Sequence, residues 1–385
     1  MRESMRTSAM VARLMGTAVI ALLCLTLIAP HPALAQGPTL FRIGTGSTAG
    51  TYYPIGALIA AAISRPPGSA PCGEGGACGV DNLIATAVTS RGSFDNIQGI
   101  AEGRFNSGLS QADIAAWAYA GHPAITGTRT YPELRAIANL YPEHVHLVVR
   151  RHLGVQSLRD LKGLRVALDR EGSGTRINTR LILSAYGLEP DDIVTTDLGP
   201  EKAISALLDH EVDAAFFVVG YPSAAVTELV ETGRFTLVPI EGIAARQLVI
   251  ANRYFTIGTI PASAYPGVGE TGTLQVGAQW LISARTDPEL VEAITAALWN
   301  PANRALLDSG HAKGRQIRLE NALSGLTVPL HPGARAFYSA AGMLPAIDVP
   351  GGTASTVPAA TPTTIPANEP AAAPTAEPAT TTTGD

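Results

Sequence analysis

Charged residues are scarce in this 385-residue chain, where Asp, Glu, Lys and Arg together make up 15% of the sequence. An average soluble domain contains about 25%. The formal net charge is −5, and no block of basic residues occurs of the kind that a surface for nucleic-acid phosphates needs. After the first 35 residues, no apolar run is long enough to span a bilayer. The composition therefore argues against a nucleic-acid-binding protein and against a multi-span membrane protein.

Familiar catalytic and metal-binding motifs are also missing. The sequence has no Gly-x-Ser-x-Gly nucleophile elbow and no His-Glu-x-x-His helix. His144 and His146 stand two apart on a predicted strand and face the same way, so a metal site is an alternative to ordinary packing. No third ligand lies near them in the sequence. We therefore expect no catalytic residues, no metal and no cofactor, and keep an exported enzyme as an alternative.

The start of the chain has the three regions of a secretory signal peptide. Arginines at positions 2, 6 and 13 precede an uncharged apolar run over 14–28, and small residues follow at 33–35. This order predicts a signal peptide over Met1 to Ala35 and a periplasmic mature protein. A single membrane anchor is the alternative, because an apolar run of about 18 residues nearly spans a bilayer.

The end of the chain has a composition that cannot build a core. From Thr353 onward it consists almost entirely of Ala, Thr and Pro, with a proline at every fourth position from Pro358 to Pro378. Such a segment buries too little apolar surface to offset its conformational entropy. We expect a disordered Ala/Thr/Pro-rich tail over 346–385, with a tether or spacer as the alternative.

Only two of the three cysteines remain after the predicted signal peptide, namely Cys72 and Cys78 in a Gly-rich insert. Five residues separate them, which is not the two-residue spacing of a zinc or redox motif. In an oxidising compartment the expected state is a disulfide that closes a small loop.

Between residues 38 and 345 the chain alternates short apolar strands with amphipathic helices. Leu40 to Gly44, Leu164 to Leu168 and Val212 to Val219 are predicted strands, and helices follow the first two. Strand–loop–helix units in series predict parallel sheets and the α/β class. Leu134 to Tyr141 and Val145 to Arg151 are predicted as two further strands.

Two strand-rich connections, near 141–150 and between 240 and 275, predict two lobes joined by a hinge. We assign residues 38–142 to the first part of lobe 1 and 143–245 to lobe 2. Residues 246–345 are assigned to the return through the hinge and to a C-terminal part that packs on both lobes.

Three loops at predicted strand-to-helix turns, residues 44–51, 90–93 and 171–176, consist mostly of small residues. Free backbone N–H groups and the helix dipole attract an anion at such turns. None of the three contains the lysine of a phosphate-binding loop, and the glycine spacing in 44–51 does not fit the dinucleotide pattern. Because turns of parallel sheets open at the same edge, the loops predict a shared carboxylate site, with simple helix capping as the alternative.

The run Ile43 to Gly56 resembles the signature of TAXI-type solute receptors of tripartite ATP-independent periplasmic (TRAP) transporters. Matches to this family cover about residues 39–345, and they include Gly92-Ser93 with Asn96, Gln111 with Asp113, Tyr141-Pro142-Glu143, Gly172-Ser173-Gly174-Thr175, Asp213 to Phe217 and Leu330 to Ala334.

The resemblance implies a type II periplasmic-binding-protein fold, with a ligand cleft between two α/β lobes. It implies a monomeric receptor that captures glutamate, glutamine-like compounds or 2-oxoglutarate and delivers them to an ion-gradient-driven membrane permease. A ligand sensor that feeds a signalling receptor is the alternative. Motif by motif, the expected solute contacts are Thr45, Gly46, Ser47, Tyr52, Ser93, Asn96, Gln111, Ser173, Gly174, Thr175 and Asn178, with Arg91 and Arg176 as candidate charge partners.

Overall fold

The computed structural model describes residues 37–126 and 129–345. The predicted signal peptide and the predicted C-terminal tail lie outside these residues. Within the described ranges, none of the helices combines the length and the apolar character that crossing a bilayer requires.

The strands of the described ranges form one mixed sheet of twelve. They are β1 (Thr39–Gly44), β2 (Ser64–Arg65), β3 (Val80–Asp81), β4 (Leu83–Val88), β5 (Ser107–Gln111), β6 (Leu134–Arg150), β7 (Arg165–Ala167), β8 (Val194–Thr196), β9 (Ala214–Val219), β10 (Phe235–Val238), β11 (Phe255–Ile260) and β12 (Thr271–Ser283).

Helices follow most of the parallel strands. They are α1 (Tyr52–Ile63), α2 (Ser93–Ala101), α3 (Ala112–Ala120), α4 (Pro123–Thr126), α5 (Gly174–Ala185), α6 (Pro200–Leu208), α7 (Ala224–Glu231), α8 (Ile243–Ala251), α9 (Pro288–Leu298), α10 (Arg304–Gly310) and α11 (Pro332–Ala340).

The strand order repeats in two halves of the sheet. It runs β4-β1-β5-β12 in the first half and β8-β7-β9-β6 in the second. In each half three parallel strands are followed by one antiparallel strand. The predicted α/β class is confirmed.

Two long strands belong to both halves. β6 pairs with β12 over residues 134–144 and with β9 over 144–149. β12 pairs with β6 over 275–283 and with β11 over 271–276. The prediction of two separate strands within 134–151 was wrong, because the polar residues that interrupt the apolar pattern are themselves buried in one continuous strand.

Each half has an apolar core of its own. Helices α1, α9 and α11 pack on the first half, where Trp280 and Tyr338 are fully buried. Two further clusters cover opposite faces of the second half, one with Ile182 of α5 and the other with Leu207 of α6. Helix α9 begins after its N-cap Asp287, whose side chain accepts a hydrogen bond from the Glu289 backbone N–H at 3.1 Å. The cores hold the loops at the strand ends in place.

The predicted disulfide is present between Cys72 and Cys78, whose Cα atoms are 4.6 Å apart. It closes the Gly-rich insert that precedes β3. The insert lies on the side of the first half away from the strands that connect the halves, because β2 and β3 form the outer edge of the sheet.

Candidate functional site

A cleft of about 460 Å³, its open mouth included, lies at the carboxyl ends of β1, β4 and β7. All three small-residue loops line it, so the structure brings them together at one edge. The sequence-predicted residues found in its wall are Gly46, Ser47, Tyr52, Arg91, Ser93, Gln111, Ser173, Gly174 and Thr175.

The first loop is fastened to its own half and also reaches the other half. The Thr45 hydroxyl donates to the Val88 carbonyl at 2.7 Å and is fully buried, so Thr45 supports the loop from behind. The Ser47 hydroxyl donates to Glu201 Oε1 at 2.5 Å, and the Thr51 hydroxyl donates to the Gly220 carbonyl at 2.9 Å. Ser47 and Thr51 therefore connect the start of α1 to the second half.

The second loop leads into α2 through Gly92, whose φ of 106° is one that a residue with a Cβ rarely adopts. Arg91 is held by Asp95, which accepts from its backbone N–H at 3.0 Å and from its Nη2 at 3.1 Å. The buried Asn96 amide donates to the Thr45 carbonyl at 2.6 Å and to the Leu109 carbonyl at 2.7 Å. Asn96 therefore joins β1 to β5 and is absent from the cleft wall.

The third loop starts α5 with Ser173 as its N-cap, which accepts a hydrogen bond from the Arg176 backbone N–H at 3.4 Å. The same hydroxyl donates to Asp169 Oδ2 at 2.6 Å. Asp169 lines the cleft, and burial raises the pKa of its carboxyl. An internal carboxylate therefore already occupies part of the electropositive region at this helix start.

Two sequence-predicted residues of α5 lie outside the cleft wall. The buried Asn178 donates to Asp113 Oδ2 at 2.5 Å and accepts from Gln111 Nε2 at 3.1 Å. The Arg176 guanidinium forms an ion pair with Asp197 and donates to the Asp169 carbonyl at 3.3 Å. Asn178 supports a lining residue, and Arg176 already has a partner.

The two halves meet directly across the cleft. The backbone N–H groups of Phe94 and Asp95 donate to the Gly172 carbonyl at 3.1 and 3.2 Å. Arg170 Nη2 donates to the Ser90 carbonyl at 3.0 Å. These hydrogen bonds join loops of opposite halves, so the structure is a closed arrangement.

A close approach of Gly174 to Gln111 adds to this closure. A Cβ at Gly174 would lie 1.6 Å from Gln111 Oε1 and 2.9 Å from Ser93 Oγ. A larger residue at this point would displace the Gln111 side chain or separate the halves.

Sequence reasoning did not select three charged residues of the cleft wall, Glu143, Asp169 and Arg170. Tyr52 Oη donates to Glu143 Oε2 at 2.6 Å, and burial raises the pKa of the Glu143 carboxyl to about 8. A signal was present, since Glu143 interrupts an apolar strand, and Asp169 and Arg170 lie in the loop that follows β7.

The two histidines of β6 have aromatic neighbours. The His146 Nε2 lies 3.0 Å from the Tyr265 hydroxyl, and the His144 ring meets the Tyr221 ring with centroids 4.7 Å apart. Burial lowers the pKa of both imidazoles, to about 3 for His144 and about 4 for His146. Over the described ranges, no group of three His, Cys, Asp or Glu side chains is placed to hold a metal ion.

Several solved structures are similar to this chain. The alkanesulfonate-binding protein SsuA from Xanthomonas axonopodis pv. citri bound to MOPS is 17% identical with a TM-score of 0.42, covering 81% of this chain and 96% of its own. MatC from Rhodopseudomonas palustris with bound malate is 15% identical with a TM-score of 0.44, covering 71% and 89%. The periplasmic aliphatic sulphonate-binding protein SsuA from Escherichia coli is 15% identical with a TM-score of 0.39, covering 80% and 94%.

The family of this chain is shown by a protein-family model, and not by these similar structures. The model of the NMT1-like family matches residues 43–342, which include the cleft loops, both halves of the sheet and helices α1 to α11. The chain belongs to the NMT1-like family.

Proposed function

We propose that this protein is a periplasmic solute-binding receptor that closes two lobes around a small carboxylate-bearing solute. The observation that carries the proposal is a polar cleft between two halves of the sheet, which are connected through the long strands β6 and β12. Such an arrangement can open and close by bending at the connecting strands while each half keeps its shape. The halves would be the two lobes, with the first crossing near His144, where β6 changes partners.

The groups in the cleft wall support an anionic solute. Arg170 supplies a guanidinium group, which matches a carboxylate in charge and geometry, and Arg91 adds a second guanidinium at the cleft wall, although it is already paired with Asp95. Ser93 and Thr175 add hydroxyl groups, and the backbone near Gly46 is open to a close approach. We propose Gly46, Ser47, Tyr52, Ser93, Gln111, Ser173, Gly174 and Thr175 as solute contacts, and Thr45, Asn96 and Asn178 as residues that hold those contacts in place.

We further propose delivery of the solute to an ion-gradient-driven TRAP permease, on the strength of the TAXI-like run from Ile43 to Gly56. Uptake of a labelled solute into vesicles that contain the permease should then require the receptor. A receptor that binds solute but stimulates only a signalling partner would favour the sensor alternative.

Binding is tested first with a thermal-shift panel of amino acids, small carboxylic acids and neutral sugars. A ligand at about 100 times its Kd should stabilise the protein by about 2.7 kcal/mol. Small-angle scattering should then show compaction with the best ligand. Arg170→Met should weaken binding of a carboxylate at least 10-fold, whereas the exposed Arg253→Met serves as a matched control.

Three results would contradict the proposal. Stabilisation by neutral sugars alone would exclude a carboxylate receptor. Equal scattering profiles with and without saturating ligand would exclude the closing motion. Chemical conversion of a bound solute, followed by NMR, would favour the enzyme alternative.

A further inference from the structure

A second cavity lies in the first half of the sheet, away from the cleft. It measures about 480 Å³, its open mouth included, and lies where the ladder between β6 and β12 ends at the pair Leu134 and Ser283. The last turns of α2 and residues 129–133 complete its wall. At a rise of about 3.3 Å per strand residue, this end of β6 is roughly 30 Å from His144, where β6 crosses to the second half. No residue lines both the cavity and the cleft.

The inner wall of this cavity is apolar. Ile97 and Ile100 of α2 lie in it beside Tyr131 and Leu134, and all four are buried members of one core cluster. The Tyr131 ring is held by Phe94 in edge-to-face geometry, with ring centroids 5.9 Å apart. Such a wall favours the apolar body of a ligand over a small hydrated ion.

A guanidinium without an acidic partner stands at the mouth of the cavity. Arg129 is exposed, and its Cζ lies 4.8 Å from the centre of the Tyr131 ring. Over the described ranges, Arg129 forms neither an ion pair nor a hydrogen bond. The other two charged side chains of the wall, Glu133 and Arg285, form an ion pair with each other. The wall therefore has one positive charge that no carboxylate of the described residues balances.

We propose that this cavity is a second binding site, for a small organic acid with an apolar body. The carboxylate of the acid accepts hydrogen bonds from the Arg129 guanidinium, and the apolar body packs on Tyr131 and Ile100. Because the guanidinium already lies over the Tyr131 ring, less side-chain freedom is lost when the acid binds. The site goes beyond the proposed receptor function and does not require the two halves to close.

Methyl NMR spectra of protein with labelled Ile and Val side chains locate a bound acid. The Ile97 and Ile100 methyl groups report on the cavity, whereas those of Val218 and Val219 report on the cleft. Benzoate is the probe, because it joins a carboxylate to a compact apolar ring; benzyl alcohol lacks the charge and acetate lacks the ring. We expect benzoate to shift the Ile97 and Ile100 signals, with a Kd at least about 3-fold below those of the other two compounds.

Three variants test the parts of the site. Arg129→Met removes the guanidinium and should raise the Kd for benzoate at least about 3-fold, with little change for benzyl alcohol. Arg253→Met is the matched control, because Arg253 is also exposed and lies over a tyrosine ring, at 5.5 Å, but lines neither the cavity nor the cleft. It should leave the Kd within about 2-fold of the parent value. Ala101→Leu adds apolar atoms to the wall of the cavity and should weaken binding of benzoate and benzyl alcohol alike. Circular-dichroism melting curves check that each variant is folded.

The outcomes separate this site from the cleft. Shifts confined to Val218 and Val219 would place benzoate in the cleft, which would overturn the second site and leave the receptor proposal intact. The absence of shifts at Ile97 and Ile100 throughout the titration, or an unchanged Kd in Arg129→Met, would also overturn it. Shifts at both isoleucines in a protein whose cleft binds none of the carboxylates of the thermal-shift panel would support the cavity and contradict the receptor proposal.

Discussion

Replacing Gly174 by Ala introduces a methyl group at the tightest contact between the two halves. The new Cβ would lie 1.6 Å from Gln111 Oε1, so the Gln111 side chain must leave or the halves must separate. If it leaves, its hydrogen bond to Asn178 is lost. The buried Asn178 oxygen then lacks a partner, which costs about 1–3 kcal/mol.

The closed form should therefore be disfavoured by about 1–3 kcal/mol, which corresponds to roughly 5- to 150-fold weaker solute binding. Global stability should respond differently, because opening of the halves relieves the clash. Position 174 is the first residue of α5, where Ala is favoured over Gly by up to about 1 kcal/mol. Calorimetric Kd and thermal melting of the unliganded protein distinguish the two effects.

Gly269→Ala is the matched control, because a Cβ there meets no atom within 4 Å. It should leave both the Kd and the melting temperature close to those of the parent protein. A Gly174→Ala variant with a Kd within 3-fold of the parent value, and with the same ligand-induced compaction, would refute the reasoning.

Three further predictions follow from local contacts. Removing the disulfide by Cys72→Ser with Cys78→Ser should lower the free energy of unfolding by about 2 kcal/mol in urea titrations. The Kd for the solute should change little, since the insert is outside the cleft wall. An unchanged midpoint of the urea unfolding transition would contradict this prediction. Glu201→Ala removes a hydrogen bond across the cleft mouth and should speed solute dissociation roughly 2- to 5-fold in stopped-flow measurements, whereas slower release would contradict a closing role. Burial lowers the pKa of the His144 and His146 imidazoles, so the free energy of unfolding is highest above the unfolded-state pKa of about 6.5 and falls as the pH drops below it. Each histidine should lower it by about 1.4 kcal/mol at pH 5.5. Replacing both by Gln should flatten the stability–pH curve in this range, and an unchanged curve would contradict the pKa shifts.

The loops of the cleft were predictable because their chemistry is local. Small residues between an apolar strand and an amphipathic helix indicate a turn with free N–H groups, and parallel strands place such turns at one edge. The start of α9 was predictable for the same reason, since Asp287 and Pro288 are a local capping pattern.

The direction of individual side chains was not predictable from the same patterns. Thr45, Asn96 and Asn178 have the polar character of ligand contacts, yet all three are fully buried and bind main-chain or side-chain groups of the protein. Conversely, Glu143 was not selected, because its position in the cleft wall depends on where β6 crosses from one half to the other. Tertiary pairing decides both cases, and sequence spacing does not encode it.

The pairing of the crossing strands also indicates where bending can occur. Pro142 of β6 lies opposite Gly277 of β12, and proline has no N–H to donate to the ladder. The register shifts just beyond this pair, between Ala278 and Gln279. The ladder is therefore interrupted close to Glu143, which lines the cleft. Under the proposed function, we expect the two halves to bend at this place, beside the cleft.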